Sequence, residues 1–288
     1  MESRPLDKNK VVITVAQTGA MSSKSMNPNV PEQPDEIAQS AYDCFNEGAA
    51  ICHIHARGKD GQPTADTDIY QDIHDRIRAK CNMIIQDSTG GGPNLSQEER
   101  IQCLKTGPEM ASLNMGSLMR IGGPYKGTAW SNMPEEIDHY VREMAKYNVK
   151  PEMEVFNHAM LVDVRRVIEE GLVAKPYYVN IVLGMRYQGA EPATPDTLYS
   201  IVKALPPDTI FNVTGVGSAQ TTMANMSMLL GGCVRVGMED NLYYRKGEPV
   251  ESNAQLVARI VRIARELGKE PATPEETRAY FGLDPVAA

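Results

Sequence analysis

Short β-rich runs alternate with longer segments of helical periodicity along the chain, and the alternation occurs eight times. The first run covers 11–16 and the last covers 233–237, and the helical segments that follow them cover 34–47 and 252–267. Strands that alternate with helices favour a parallel sheet, because parallel neighbours need a long crossover connection. The chain is therefore predicted to be an α/β protein.

Eight strand–helix units in 288 residues have the size and period of a (β/α)₈ TIM barrel. An open doubly wound sheet is the main rival, but it often carries G-x-G-x-x-G after its first strand, and no such motif follows 11–16. We predict one barrel domain over 1–288, with an N-terminal tail at 1–10 and a C-terminal extension at 270–288. Thr273 and Pro274 are typical of a helix start, so the extension is expected to be helical.

The composition excludes several classes of function. The net charge is −8, so the chain lacks the basic surplus of a nucleic-acid-binding protein. No run of about 18 apolar residues predicts a membrane span, and the charged first residues do not resemble a secretory signal. The five cysteines form no C-x-x-C pair and are interpreted as reduced thiols. We expect a cytoplasmic globular protein that binds neither nucleic acid nor membranes.

Polar side chains end several predicted strands, at the face of a TIM barrel where active sites are built. His53 and His55 end the second strand with one residue between them, so both can point to one face. Neutral imidazole is a common zinc ligand, and this pair predicts a metal site. His158 could also face the site, whereas His74 and His139 are expected to lie in solvent.

A catalytic zinc site needs a third protein ligand and an open position. In a closed barrel the eighth strand neighbours the first, which neighbours the second, so Glu239 can lie across from the histidine pair. Arg235 is four residues earlier and shares the face of Glu239. A guanidinium inside a barrel needs an anionic partner, which Asp240 or a substrate carboxylate could supply.

A glycine-rich loop at 88–92 follows the third predicted strand. Its backbone N–H groups and two hydroxyls, in a segment free to adopt positive φ, suit a carboxylate or an oxyanion. It is not a nucleotide-binding P-loop, because the G-K-[ST] element is missing. Two connections, 120–133 and 184–195, are longer than the fold needs and are candidates for a lid over the site.

Several motifs together resemble the β-keto acid cleavage enzyme family. They occur in the family's order and cover nearly the whole chain. The matching segments are 18–20, 53–57, 60–63, 88–91, 108–114, 151–155, 235–241 and 251–257. The resemblance implies a zinc-dependent (β/α)₈ enzyme that condenses a β-keto acid with acetyl-CoA, giving acetoacetate and a new acyl-CoA. It also implies a homo-oligomer, and we expect a homotetramer.

The same resemblance assigns roles to individual residues. It implies that His53, His55 and Glu239 hold the zinc ion. It makes Asp240 the general base, assisted by Arg235 and Ser88. The residues that we expect to contact the substrate are Met21, Thr89, Gly90, Gly91, Ser112, Asn114 and Glu154.

Met21 departs from the family's pattern. In the member that acts on an amino substrate, a glutamate follows Thr-Gly-Ala and would pair with the substrate ammonium. Methionine carries no charge and cannot make that pair. We therefore expect the substrate tail of this protein to be uncharged or apolar rather than cationic.

Two other functions remain open. A zinc hydrolase of the amidohydrolase kind also uses H-x-H at a strand end, but it places the motif on the first strand and needs further histidines after strands five and six. A non-catalytic metal- or metabolite-binding barrel is the other alternative. It would be indifferent to the loss of the Asp240 carboxylate, whereas an enzyme that uses this group as a base would lose turnover.

Overall fold

Eight parallel strands form a closed barrel in the order of the chain, in a computed structural model that describes residues 3–122 and 125–284. The strands are β1 (Ile13–Ala16), β2 (Ile51–Ile54), β3 (Ile84–Asp87), β4 (Met110–Asn114), β5 (Lys150–Val155), β6 (Tyr177–Leu183), β7 (Thr209–Gly215) and β8 (Cys233–Val236). Arg235 of β8 pairs with Thr14 of β1, which closes the barrel. The predicted TIM barrel is confirmed, and the doubly wound alternative is wrong.

A helix follows every barrel strand. The helices are α1 (Pro34–Glu47), α2 (Thr67–Arg78), α3 (Gln97–Arg100), α4 (Pro134–Lys146), α5 (Leu161–Glu169), α6 (Pro195–Ala204), α7 (Gln220–Leu229) and α8 (Asn253–Glu266). Proline opens α1, α4 and α6, because the first turn needs no N–H donor. Within the described ranges, no helix has both the length and the apolarity to cross a membrane.

Three predicted helices are shorter than their sequence pattern indicates, because one end of each winds more tightly. The short 3₁₀ turns are Gln102–Thr106, His158–Met160 and Gly217–Ala219. They lie beside α3, α5 and α7, where the helical periodicity of the sequence extends over 97–105, 158–170 and 218–230. Such turns are frequent at helix ends and do not disturb the order of the elements.

The main apolar core lies between the barrel and its helices. Val15 and Ile54 point outward from β1 and β2 and belong to one fully buried cluster with Ile37 of α1 and Ile73 of α2. Burial of each such side chain contributes about 1.5–3 kcal/mol to folding. Because this layer surrounds the barrel, the barrel interior is free to carry polar side chains near the carboxyl ends of its strands.

The C-terminal extension closes the opposite end of the barrel. Its helix α9 (Pro274–Phe281) places the fully buried Phe281 ring with its centroid 4.5 Å from that of Tyr178 in β6. Lys10–Val11, at the boundary of the predicted tail, pairs in parallel with Glu270–Pro271. Residues 1–2 of that tail and 285–288 of the extension lie outside the described residues.

The two long connections form a small antiparallel sheet over the carboxyl ends of the barrel strands, which we term the mouth sheet. Its strands are Leu118–Arg120, Ala129–Trp130 and Tyr187–Gln188. Arg120 pairs with Tyr187, and Leu118 pairs with Trp130. Positions 123 and 124 of the first connection fall outside the described residues. The sheet lies where we expect the two connections to cover the site.

Gly237 is the residue on which the approach of Glu239 to the barrel mouth depends. It has a φ of 148°, and a Cβ at this position would overlap the carbonyl oxygen of Ala16 in β1. We expect Gly237→Ala to lower the free energy of unfolding by about 2–4 kcal/mol. Urea unfolding followed by circular dichroism measures this. Gly122→Ala is the control, because a Cβ there meets open space; equal stability of the two variants would contradict the assignment.

Candidate metal centre and active site

The three predicted metal ligands come together at the barrel mouth. His53 and His55 lie at the end of β2, and Glu239 follows β8. The Nε2 atoms of His53 and His55 lie 3.7 Å and 3.5 Å from Glu239 Oε1. One ligand atom from each residue lies within 4.8 Å of the other two. This arrangement brings two nitrogen donors and one oxygen donor to one point.

The protonation states in this cluster suit a divalent cation. Burial, together with the charge of Arg235, lowers the pKa of His53 to about 3, so the imidazole is neutral. Its Nδ1 lies 2.9 Å from Gln86 Oε1. Since that amide oxygen only accepts, Nδ1 carries the hydrogen and Nε2 keeps a free lone pair.

Glu239 supplies the negative charge of the cluster. Burial alone would raise its pKa, but Arg235 and the two histidines outweigh burial and hold the pKa well below its ordinary range. Its Oε2 atom is buried and has no hydrogen-bond partner among the described residues. A buried carboxylate oxygen without a partner needs an explanation. A bound cation provides one, and His₂Glu is a known ligand set of catalytic zinc.

Arg235 links the metal cluster to the predicted general base. Its Nε donates to Asp240 Oδ2 at 2.9 Å, and its Nη2 donates to Asp240 Oδ1 at 3.1 Å and to Glu239 Oε1 at 2.6 Å. The side chain is 4% exposed, so these contacts are largely shielded from water. Asp240 is therefore the anionic partner that the buried guanidinium requires. Burial raises the pKa of Asp240 against the opposing charge of Arg235.

Glu154 differs from the ionised Glu239 because its carboxyl group holds a proton. Burial raises its pKa to about 8, so this carboxyl is protonated near pH 7 and can donate a hydrogen bond. Asn180 Nδ2 donates to its Oε1 at 3.1 Å. Asn114 is the neighbour of Glu154 across β4 and β5, and both of its buried amide atoms lack a partner among the described residues. These groups are available to a polar ligand.

The glycine-rich loop is fixed by its own hydrogen bonds. The Gly90 N–H donates to Ser88 Oγ at 3.1 Å, and Ser112 Oγ lies 3.5 Å from the same hydroxyl. Thr89 donates its N–H to Ser112 Oγ at 3.2 Å and its hydroxyl to Ser112 O at 2.6 Å. Thr89 and Ser112 thus hold the loop against β4.

A cavity of about 130 Å³ opens above Glu239. Its volume is several times the 10–15 Å³ or so that one water needs, so it can accept a small molecule. The predicted residues that line it are Met21, His53, His55, Ser88, Gly90, Gly91, Glu154, Glu239 and Asp240. Thr89, Ser112, Asn114 and Arg235 do not line it, and their assigned roles remain predictions.

Several side chains in this cavity were not singled out from the sequence. Arg120, Trp130, Met185 and Tyr187 line it from the mouth sheet and its flank. The lengths of the two connections drew attention to these segments, but only strand pairing shows which side chains face inward. Arg57 was also missed as a positioning residue. Its guanidinium donates to Gly19 O at 3.1 Å and to Ser22 O at 2.7 Å, which fixes the segment that carries Met21.

The remaining histidines behave differently from one another. His74 is fully buried, with Nε2 2.9 Å from Asp87 Oδ1, so the expectation of a solvated side chain is wrong. It lies on the face of α2 that packs against the barrel, where the outward-pointing Asp87 provides a partner. His139 is only partly exposed, with Nε2 3.3 Å from Glu98 Oε1. His158 is not among the residues that line the cavity and lies 2.9 Å from Glu191 Oε1 instead.

Comparison with known proteins identifies the family to which the chain is similar. The family model "beta-keto acid cleavage enzyme" matches residues 10–283. The chain is 39% identical to the 3-keto-5-aminohexanoate cleavage enzyme of Acetoanaerobium sticklandii, covering 95% of this chain and 98% of that one. It is 32% identical to the 3-oxoadipate:acetyl-CoA acetyltransferase of Cupriavidus necator, covering 94% of each chain.

Among solved structures, the apo form of ObcA superposes with a TM-score of 0.75 at 19% identity. The match covers 89% of this chain and 66% of that chain, so the chain spans about two thirds of the ObcA length. At this identity the likeness concerns the fold alone. The family match and the curated relatives extend over nearly all of the chain, and the protein therefore belongs to the β-keto acid cleavage enzyme family.

Proposed function

We propose that the protein is an acetyl-CoA-dependent β-keto acid cleavage enzyme. It condenses a β-keto acid with acetyl-CoA and releases acetoacetate and a new acyl-CoA. The observation that carries the proposal is the convergence of His53, His55 and Glu239 with the buried Asp240 in one cavity. Relatives whose printed names include acetyl-CoA, among them the 3-oxoadipate:acetyl-CoA acetyltransferase, support the choice of cosubstrate.

We propose zinc as the metal, held by His53 Nε2, His55 and Glu239. Two imidazoles and one ionised carboxylate are donors that zinc accepts, and Glu239 Oε2 has no other partner among the described residues. When bound, zinc acts as a Lewis acid that polarises the keto and carboxylate oxygens of the substrate and so acidifies the CH₂ between them.

Asp240 removes the proton from that CH₂ carbon. Its two oxygens are held by Arg235 at 2.9 Å and 3.1 Å, which fixes the carboxylate before the substrate arrives. Burial makes it a stronger base than an exposed aspartate. The carbanion attacks the thioester carbonyl of acetyl-CoA and displaces CoA thiolate. The thiolate then attacks the original keto carbon, and the old carbon–carbon bond breaks to give the new acyl-CoA and the carbanion of acetoacetate. This carbanion takes the proton back from Asp240, and acetoacetate leaves.

The glycine-rich loop stabilises negative charge that develops on oxygen. Ser88 Oγ accepts from the Gly90 N–H, and its hydroxyl lines the cavity, where it can donate to such an oxygen. Glu154 lines the same cavity and contributes a further polar contact, since its protonated carboxyl can donate a hydrogen bond.

The walls of the cavity disfavour a cationic substrate tail. Met21 is uncharged, Trp130 and Met185 add apolar surface, and Arg120 adds positive charge. The names of the relatives include an amino-, a dioxo- and an oxoadipate substrate, so the tail is the part of the substrate that varies within the family. We propose that the substrate of this protein is not an amine.

Two broader assignments belong to the same proposal. All five cysteines are free, and four are buried, which supports a reducing compartment such as the cytoplasm. We propose a homotetramer from the family resemblance, with light scattering as its measurement.

The hydrolase alternative loses support, because β5 and β6 end in Val155 and Leu183 and His158 does not line the cavity.

The zinc assignment predicts that the loss of any one ligand weakens zinc binding. His53→Gln or Glu239→Gln should lower zinc affinity by at least about 100-fold, because each removes a direct ligand. Zinc content after dialysis, measured by plasma mass spectrometry, tests this without reference to activity. His139→Gln is the matched control on the surface. Unchanged zinc content in both ligand variants would reject the site.

The base assignment predicts a separation of binding from turnover. Asp240→Asn should lower kcat about 10²- to 10⁴-fold, since the amide cannot take the proton. Zinc content should stay at the wild-type level, and acetoacetate release from acetyl-CoA and a β-keto acid measures the rate. Asp72→Asn, on the exposed face of α2, is the control. A variant that retains full turnover would exclude Asp240 as the base.

The tail assignment predicts a gain of function at position 21. Met21→Glu should raise kcat/KM for a 5-amino β-keto acid about 10-fold relative to the uncharged analogue, because a carboxylate then faces the ammonium. The ratio of the two rates in the wild type and the variant is the measurement. Met26→Glu is the control, since Met26 is exposed and does not line the cavity. Preference of the wild-type enzyme for the amine would refute the assignment.

A further inference from the structure

Arg120 is a cation in the cavity wall that the reaction described above does not use. It lines the cavity together with His53, Glu239 and Asp240. Leu118 is buried and Met119 is 39% exposed, so the alternation of the strand turns Arg120 to the inner face. Its N–H donates to Thr128 O at 3.0 Å, and its carbonyl accepts from the Gly127 N–H at 2.8 Å. The backbone thus aims the side chain into the cavity.

The guanidinium of Arg120 has unused donors. Nη1 donates to Thr128 Oγ1 at 3.1 Å and to Ala129 O at 3.0 Å, both neutral acceptors. Nε is buried and has no hydrogen-bond partner among the described residues. No carboxylate in those ranges forms an ion pair with Arg120, although an arginine away from bulk water usually finds an anion.

The other charges in the cavity do not neutralise Arg120. Glu239 and Asp240 are already paired with Arg235. Glu154 is protonated near pH 7, because burial raises its pKa to about 8. A second cation reinforces the positive field: burial lowers the pKa of Arg100, and the nearby charge of Arg120 adds to that shift.

Arg100 cannot neutralise the field, and no carboxylate in the described ranges hydrogen-bonds to it, although the charge of Glu136 acts on it from a greater distance. Its hydrogen bonds within the described part of the chain go to neutral oxygens of Thr89, Gln97, Ser131 and Asn132. It lies directly under Gly91, whose missing Cβ leaves the room that the Arg100 side chain occupies. Two arginines to which no carboxylate of the described residues hydrogen-bonds therefore flank the glycine-rich loop.

We propose that Arg120 forms an anion-binding subsite that receives a second carboxylate at the tail of the β-keto acid. The inference rests on the proposed function. It replaces the uncharged or apolar tail that the sequence predicts with an anionic one and keeps the exclusion of a cationic tail. A phosphate of CoA is the other anion that could reach the mouth. The substrate carboxylate is favoured because Arg120 shares one small cavity with the metal ligands, whereas the pantetheine arm separates the CoA phosphates from the thioester.

The test compares two β-keto acids of equal length, one ending in a carboxylate and the other in a neutral group. Wild-type enzyme should prefer the dicarboxylate. Arg120→Gln should lower kcat/KM for the dicarboxylate about 10- to 100-fold and leave the neutral acid within about twofold. Arg120→Lys should recover part of the loss, because it restores charge without the planar fork. Arg142→Gln, an exposed arginine on α4, is the matched control.

Two results would overturn the subsite. If the ratio of kcat/KM for the two acids is the same in Arg120→Gln as in the wild type, the guanidinium does not recognise the substrate tail. A rise in the KM for acetyl-CoA with both acids alike, absent with acetyl-pantetheine, would assign the anion to a CoA phosphate instead. If the wild-type protein releases no acetoacetate from any acid, the proposed function fails. Calorimetric titration of the dicarboxylate into wild-type protein and Arg120→Gln then tests the subsite separately.

Discussion

The buried guanidinium of Arg235 is the charge on which the arrangement of the barrel mouth depends. Glu239, Asp240 and Glu154 lie within 4 Å of it, with the closest approach at 2.6 Å. Three carboxyl groups so close together in a buried site would otherwise repel one another and take up protons. Arg235 keeps Glu239 ionised as a ligand and orients Asp240. It stands on β8, so the barrel's own closure positions it.

A polar layer continues below this site. Glu152 is fully buried on β5, burial raises its pKa, and neither of its oxygens has a hydrogen-bond partner among the described residues. Gln86, which orients His53, is also fully buried on β3. The barrel interior therefore contributes less to stability than its burial suggests. The apolar layer between the barrel and the helices, together with the buried ring of Phe281, supplies most of the stability of the fold instead.

The sequence predicted the features that local pattern determines. The bounds of α1 and α6 agree with the periodicity, and the H-x-H spacing alone places two imidazoles on one face. The sequence could not predict features set by contacts between distant segments. His74 lies on α2, and its partner Asp87 lies on β3. Arg120 faces inward only because it pairs with Tyr187, 67 positions later in the chain. The pKa of Glu154 likewise reflects burial that no local pattern records.

The pairing of the first and last segments beneath the barrel has a consequence for protein engineering. The Arg4 N–H donates to Ala279 O at 2.8 Å, and Lys10–Val11 lies alongside Glu270–Pro271, so the first and last described segments lie together at the face away from the cavity. We expect affinity tags or surface tethers that continue from these segments to leave substrate entry unobstructed. The proximity also makes the scaffold suitable for circular permutation, with new ends opened in an exposed outer turn.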